Sequence, residues 1–295
     1  MSIQAYALCT LSELKAHLGI TASTDNTILE TYIDAASAKI ERWIGRQIVL
    51  RAYSEWCGGN NVRSVKVKQY PINNVTGVYT GMASAFTIAS TVSSDLRLTI
   101  SINPETLGTV TNGALFPGIV LSRTAVGGLT TTTTLGYSAF QDVTDMVAAI
   151  NALTGYSASV VTDMRCAQLH PRAGGDILQS TVTITGANVS SEFVYDSYLG
   201  IVTIREDAFP TMASDSARFP PALLSTLIEY SAGYTVVPDD IRQACMVLAG
   251  TMYLSRKKDG SLQSESLGDY SYSMANADST RSMMEDMLGS WKEIR

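Results

Sequence analysis

Residues 229–245 read EYSAGYTVVPDDIRQAC and change conformational character twice. The aromatic run up to Tyr234 has the texture of a strand. Gly233 lets the chain leave that strand with little steric restriction, and Pro238 presets a helical torsion at the first turn of the next element. Asp239 and Asp240 then put negative charge at the positive end of the helix dipole. Ile241, Cys245, Leu248, Met252 and Ser255 form an inward stripe, with Ala244, Ala249 and Gly250 permitting close helix contact. The stretch is a strand-to-helix joint, so the fold mixes the two element types.

The N-terminal end carries helices. Thr10 and Glu13 in TLSELKAHLGI have capping-box spacing, Leu11, Leu14 and Leu18 share a face, and Gly19 stands at a helix stop. A second helix is expected from Asp25 to Gly45, with Ile28, Tyr32, Ile33, Ala36, Ile40 and Ile44 at helical spacing. His17, with no titratable cluster around it in the sequence, reads as a structural residue. At the other end, a polar serine-rich loop over residues 259–278 leads to a last helix starting near Ser279, with Met284, Met287, Leu288, Trp291 and Ile294 on one side. Such a loop is long for a compact domain and is expected to be mobile in the isolated subunit, ordering on a partner.

Between the helices the pattern is that of strands. IVLRAYSEW, the turn CGGNN and VRSVKVKQYPINNVTGVYTG predict a hairpin or a small sheet, with Arg63, Lys66 and Lys68 alternating against Val62, Val65 and Val67. From Met82 the texture becomes rich in Ser, Thr and Gly and poor in charge, with five threonines at 130–134. Within it QDVTDMVAAINALTGYSASVV reads as a helix buried through Val143, Met146, Val147 and Ile150, then a glycine turn and a strand. The expected class is α+β: a helical bundle of about four helices with a small antiparallel sheet, formed by residues 1–81 and 194–295, and an inserted α+β domain over 82–193.

Composition excludes several functions. A net charge of −6 at pH 7, without a basic block, argues against sequence-specific DNA binding, while an acidic surface suits DNA that must slide past without sticking. The four cysteines, Cys9, Cys57, Cys166 and Cys245, show no C-x-x-C pair and read as buried free thiols in a reducing, cytoplasm-like setting. No phosphate-binding glycine loop, nucleophile elbow or metal-loop spacing occurs, and only His17 and His170 are available for acid–base work. No catalytic residue, metal ligand or cofactor is therefore assigned.

Taken in order, TLSELKAHLGI, DNTILETYIDAASAKIERWIGRQI, KVKQYPINNVTGVY, YDSYLGIVTI, EYSAGYTVVPDDIRQACMVLAGTMYLSRKKDG and SESLGDYSYSM resemble the head-tail connector (adaptor) proteins of tailed bacteriophages and prophages. The resemblance implies a structural virion protein at the neck, assembled in the host cytoplasm. Its members form a homo-oligomeric ring, typically of twelve subunits, on the portal protein. The ring extends the channel for passing double-stranded DNA and offers a surface to stopper or tail-completion proteins. Carried onto this chain, the portal side would be Ser264, Glu265, Leu267, Gly268, Asp269, Tyr270 and Tyr272 with Met284, Leu288 and Trp291 of the last helix. The tail side would be Gln69, Tyr70, Asn73, Asn74 and Tyr79 with Tyr195 and Tyr198. Gly233, Pro238, Asp239 and Asp240 remain helix-start residues. The insertion has no counterpart in ordinary members. The rival reading makes it a module for carbohydrate or a host surface, with Tyr137, Phe140 and Tyr156 lining a shallow site.

Overall fold

The computed structural model describes residues 5–104, 117–178, 180–205, 218–222, 224–256, 264–267, 270–273, 282 and 285–292. In chain order the helices are α1 (Leu11–Leu18), α2 (Asn26–Ile44), α3 (Val143–Asn151) and α4 (Asp239–Ser255). The strands are β1 (Arg51–Cys57), β2 (Ser64–Lys66), β3 (Ile72–Thr80), β4 (Ala83–Ser90), β5 (Arg97–Asn103), β6 (Gly118–Thr124), β7 (Thr130–Gly136), β8 (Tyr156–Val160), β9 (Arg172–Asp176), β10 (Val182–Gly186), β11 (Val189–Ser190), β12 (Phe193–Asp196), β13 (Ile201–Ile204), β14 (Thr226–Ala232), β15 (Ser264–Leu267) and β16 (Tyr270–Ser273). The class is α+β. The chain divides into two compact units, residues 1–50 with 233–295, and residues 51–232.

The first unit is helical, and its local rules are visible in the sequence. Thr10 caps α1 with the full reciprocal box: its side chain accepts from the Glu13 amide, while a Glu13 carboxylate oxygen accepts from the Thr10 amide at 2.7 Å. The Thr10 amide and then the Thr10 hydroxyl, which donates to the same carboxylate oxygen at 2.8 Å, hold the Glu13 carboxyl below its ordinary pKa. Gly19 ends α1 in the left-handed region at φ 67°. Helix α2 buries Leu29, Ile33, Ala36, Ser37, Ile40 and Ile44, so the stripe runs through Leu29, and Ile28 is 41% exposed. Helix α4 contributes Ile241, Ala244, Cys245, Leu248 and Ala249 to the same core, which Leu8, Cys9, Leu14 and Leu288 complete.

The joint at 233–239 works by close approach. A Cβ on Gly233 would stand 2.8 Å from the carbonyl oxygens of Ile48 and Val49, and Gly233 adopts φ 109°. Only glycine fits there without moving backbone. Pro238 is the N-cap itself, its carbonyl accepting from the Arg242 amide at 2.9 Å, and the helix proper begins at Asp239. Asp239 pairs with Arg242, and the two carboxylate oxygens of Asp240 accept from the Ile241 amide and the Trp291 indole. Residues 264–273, read from sequence as part of an unstructured loop, instead contain the antiparallel pair β15–β16. In its register Ser264 pairs with Ser273 and Ser266 with Ser271, alternating with the pairs Glu265–Tyr272 and Leu267–Tyr270.

In the second unit β14 is the pivot. It pairs antiparallel with β1 on one side and β3 on the other, and β11 extends the sheet, giving the order β1–β14–β3–β11. β1 and β2 are therefore not a hairpin: β2 joins the small sheet β12–β13–β2. The sequence-based limits at 81/82 and 193/194 fall inside this unit, where they separate two cores. One draws on both of these sheets through Tyr53, Val67, Ile72, Val78, Val202, Ile228 and Tyr230. The other is built from residues 83–184 alone. There the sheets β7–β6–β5–β9 and β10–β4–β8 and the helix α3 bury Phe86, Ile88, Leu98, Ile100, Ile119, Met146 and Ile150. Tyr137 and Tyr156 are buried in that core and Phe140 packs against it, so these aromatics do not line an open site. The threonine run becomes β7, in which Thr130 and Thr132 share hydrogen bonds with Thr124 and Ser122 of β6.

Candidate docking surface

The most prominent surface feature among the predicted site residues is the turn between β12 and β13. One Asp196 carboxylate oxygen accepts from the Leu199 amide at 2.9 Å, and its carbonyl accepts from Gly200 at 3.1 Å. Gly200 takes φ 67°, and a Cβ there would meet the Tyr70 Cβ at 3.1 Å. The turn is also laced to the segment before β3. The Ile72 amide donates to the Ser197 carbonyl and the Val67 amide to the Gly200 carbonyl, each at 2.8 Å, while the Ser197 hydroxyl donates to the Ile72 carbonyl.

With its backbone fixed in this way, the turn holds Tyr198 and Leu199 outward, 83% and 58% exposed. Tyr195 lies beside them, its hydroxyl donating to the Asn73 carbonyl at 3.4 Å. The Lys66 ammonium stands 5.0 Å above the Tyr70 ring. Beneath, the Gln69 amide donates to the Tyr230 hydroxyl at 3.3 Å, and that hydroxyl donates to Glu55 at 2.8 Å. Burial pushes the Tyr230 phenol far above its ordinary pKa, so it stays a donor. The result is a rigid knob with an aromatic and an aliphatic residue at its tip, a geometry suited to filling a pocket on another protein at low entropic cost.

The structure thus brings together five of the predicted tail-side residues, Gln69, Tyr70, Asn73, Tyr195 and Tyr198. Asn74 is exposed on β3, its carbonyl accepting from Ser231. Tyr79 lies apart, at the far end of β3 under the Arg165 guanidinium, which is 5.2 Å from its ring and paired with Glu229. Sequence reasoning missed Leu199. The available signal was an apolar residue held between two turn residues, Asp196 and Gly200.

The predicted portal-side residues are dispersed. Ser264, Glu265, Leu267, Tyr270 and Tyr272 are strand residues of β15 and β16. Gly268, Asp269 and Met284 lie outside the described residues. Leu288 is a correction: it is fully buried in the core of the first unit and cannot present a surface. Trp291 packs edge-on against Tyr234 at 5.7 Å and donates to Asp240, so its ring tethers the C-terminal turn to the start of α4.

Comparison with known proteins finds a family match over part of the chain. Residues 9–77 match the family model of the phage gp6-like head-tail connector protein. The N-terminal segment is connector-like. That match bears out the resemblance read from the sequence, and it runs through α1, α2, β1, β2 and most of β3. Two solved structures are similar over the whole length at 13% identity. One is a chain of the neck of an empty gene transfer agent particle computed with C6 symmetry, covering 100% of this chain and 95% of that one with a TM-score of 0.42. The other is a chain of the virion of a native gene transfer agent particle, covering 100% and 94% with a TM-score of 0.41. No curated protein matches the chain in sequence. Among the described residues, no group of three or more His, Cys, Asp or Glu could hold a metal ion, and no helix is long and apolar enough to cross a membrane.

Proposed function

We propose that this chain is a structural neck protein of a tailed phage or phage-like particle, a head-tail connector without a catalytic step. The observation that carries the reading is the connector match over residues 9–77. In this reading subunits close into a ring, of about a dozen in keeping with the resemblance, on the portal at one vertex of the head. Ring closure needs two different patches per subunit related by a rotation that divides the circle. The helical unit supplies the wall of the ring, as the fuller bundle implied by the resemblance would. DNA passes along a channel whose chemistry is acidic overall, in keeping with the net charge of −6.

The knob at Tyr198 and Leu199, with Tyr195 and Asn73 beside it, is the surface offered to the stopper or tail-completion protein. The β15–β16 pair, carrying Glu265, Leu267, Tyr270 and Tyr272, is offered to the portal. Residues 82–193, with their own core, are an accessory domain that decorates the ring. Negative-stain electron microscopy and light-scattering mass of the protein, alone and mixed with its particle's portal, test the reading. Rings stacked coaxially on the portal are expected, and a variant with residues 82–193 replaced by a short linker is expected to form them too. A protein that stays monomeric and never joins the portal would sink the proposal.

A further inference from the structure

All four cysteines are buried as free thiols, yet two of them meet. Cys9, just before the N-cap of α1, brings its sulfur to 3.5 Å from that of Cys245 on α4, across 236 residues of sequence. Both side chains lie in the core of the helical unit, 4% and 0% exposed. Their neighbour is Ser37 of α2, whose hydroxyl oxygen is 3.5 Å from the Cys245 sulfur and accepts from the Leu8 amide at 3.0 Å. The serine therefore fixes the short segment that carries Cys9. The other two thiols are held in the separate cores of the second unit, each pushed up to about 12 by burial.

The two thiols of the pair are not equivalent. Hydrogen bonds from Cys9 and then Ser37 lower the Cys245 pKa, while donation to Cys245, reinforced by burial, raises that of Cys9. Both sulfurs are buried, so a reagent reaches them when the core opens or before it closes, and the hydrogen bonds to Cys245 then favour its thiolate. Bond formation needs the sulfurs to close from 3.5 Å to about 2.0 Å. The two sulfurs are already in van der Waals contact, so the remaining approach is about 1.5 Å.

We propose that Cys9 and Cys245 form an oxidative modification site, closing to an intrachain disulfide when a low-molecular-weight disulfide is available as oxidant. The Cys245 thiolate attacks one sulfur of the reagent and expels the other as a thiolate, which takes up the Cys245 proton. Cys9 then loses its proton and attacks the Cys245 sulfur of the mixed disulfide, expelling the second small thiolate, which that proton neutralises. Two protein thiols give up two hydrogen atoms in all, and the reagent leaves as two thiols. The bond would clamp the segment before α1 onto α4 and lock the helical unit once the protein meets an oxidising medium, as outside a cell.

The test exposes the full chain to oxidised glutathione under native conditions, and separately refolds it in a glutathione redox buffer. Each product is then alkylated in denaturant and read by intact mass and peptide mapping. A mass lower by about 2 Da before alkylation, a linked Cys9–Cys245 peptide and only Cys57 and Cys166 alkylated are expected by at least one route. The melting temperature of the helical unit should rise by several degrees. Cys9→Ser should stop at a glutathione adduct on Cys245. Four alkylatable thiols after both treatments, or a crosslink joining any other pair, would overturn the assignment.

Discussion

The helical unit and the strand-rich unit are specified over different distances along the chain. In the first, the decisive contacts of each helix end are three or four residues away: Thr10 with Glu13, Gly45 with Glu41, Pro238 with Arg242. In the second, β1 finds its partner in β14, and Glu55 finds Tyr230 across 175 residues. The lesson is that a local code can be satisfied before the rest of the chain is in place, whereas the sheet forms only as a whole, against the entropy of closing long loops.

The sharpest way to break this contrast is a pair of core truncations. Ile40→Ala in the helical core and Ile100→Ala in the core of residues 83–184 should each cost about 2–5 kcal/mol. The effects are expected to stay local, Ile40→Ala lowering amide-exchange protection in α2 and α4, and Ile100→Ala lowering it in β5 and β6. Equal loss in both units from either variant would mean that they unfold as one body. A smaller effect separates cap from core. Thr10→Ala should cost about 1 kcal/mol and show itself as earlier fraying of α1, with α2 unchanged in the same exchange experiment.

The smallest effect is a pH dependence confined to the strand-rich unit. His170 is tilted against Trp56 with ring centroids 5.2 Å apart and shares a hydrogen bond with Thr185 through Nδ1. Burial lowers its pKa below the ordinary value of 6.5. The unfolded chain therefore binds the proton more readily, and stability is level above the unfolded pKa and falls as pH drops from there through the folded pKa. His170→Asn should flatten that acid limb in denaturant titrations between neutral and mildly acidic pH. A limb that persists in the variant would assign the effect to other groups.

Much of the helical unit was legible because its signals are short-range. The capping box, the glycine stops, the stripe of α4 from Ile241 to Leu248 and the buried face of α3 all follow from spacing, whereas Ser255 at the end of the α4 stripe is exposed. The stripe of α2 was legible at Ile33, Ala36, Ile40 and Ile44 and misread only where it starts, because Ile28 and Leu29 both satisfy a helical period and only packing chooses between them. Pairing of strands was not legible: nothing in RAYSEWC names TLIEYSA as its neighbour. SESLGDYSYS read as a loop because serine-rich stretches satisfy polar templates first, although its alternation suits a two-stranded ribbon. On the candidate surface, the exposed tyrosines were found through the family resemblance. Leu288 was misplaced because an apolar stripe on a terminal helix looks the same whether it meets a partner or its own core. Cys9 and Cys245 could not be paired in advance, since their proximity is a product of the fold alone.

One detail of β11 carries further than its two residues suggest. Val189 pairs with Thr80 and Ser190 with Tyr79, and the Thr80 and Ser191 hydroxyls meet at 3.0 Å, so the strands that lead into and out of residues 82–187 lie side by side. A segment whose two ends are neighbours can be exchanged without disturbing the register of β3 against β14. Such a stem is a natural splice point, where unrelated folds with adjacent termini could be grafted and a new outward-facing module acquired in a single recombination event.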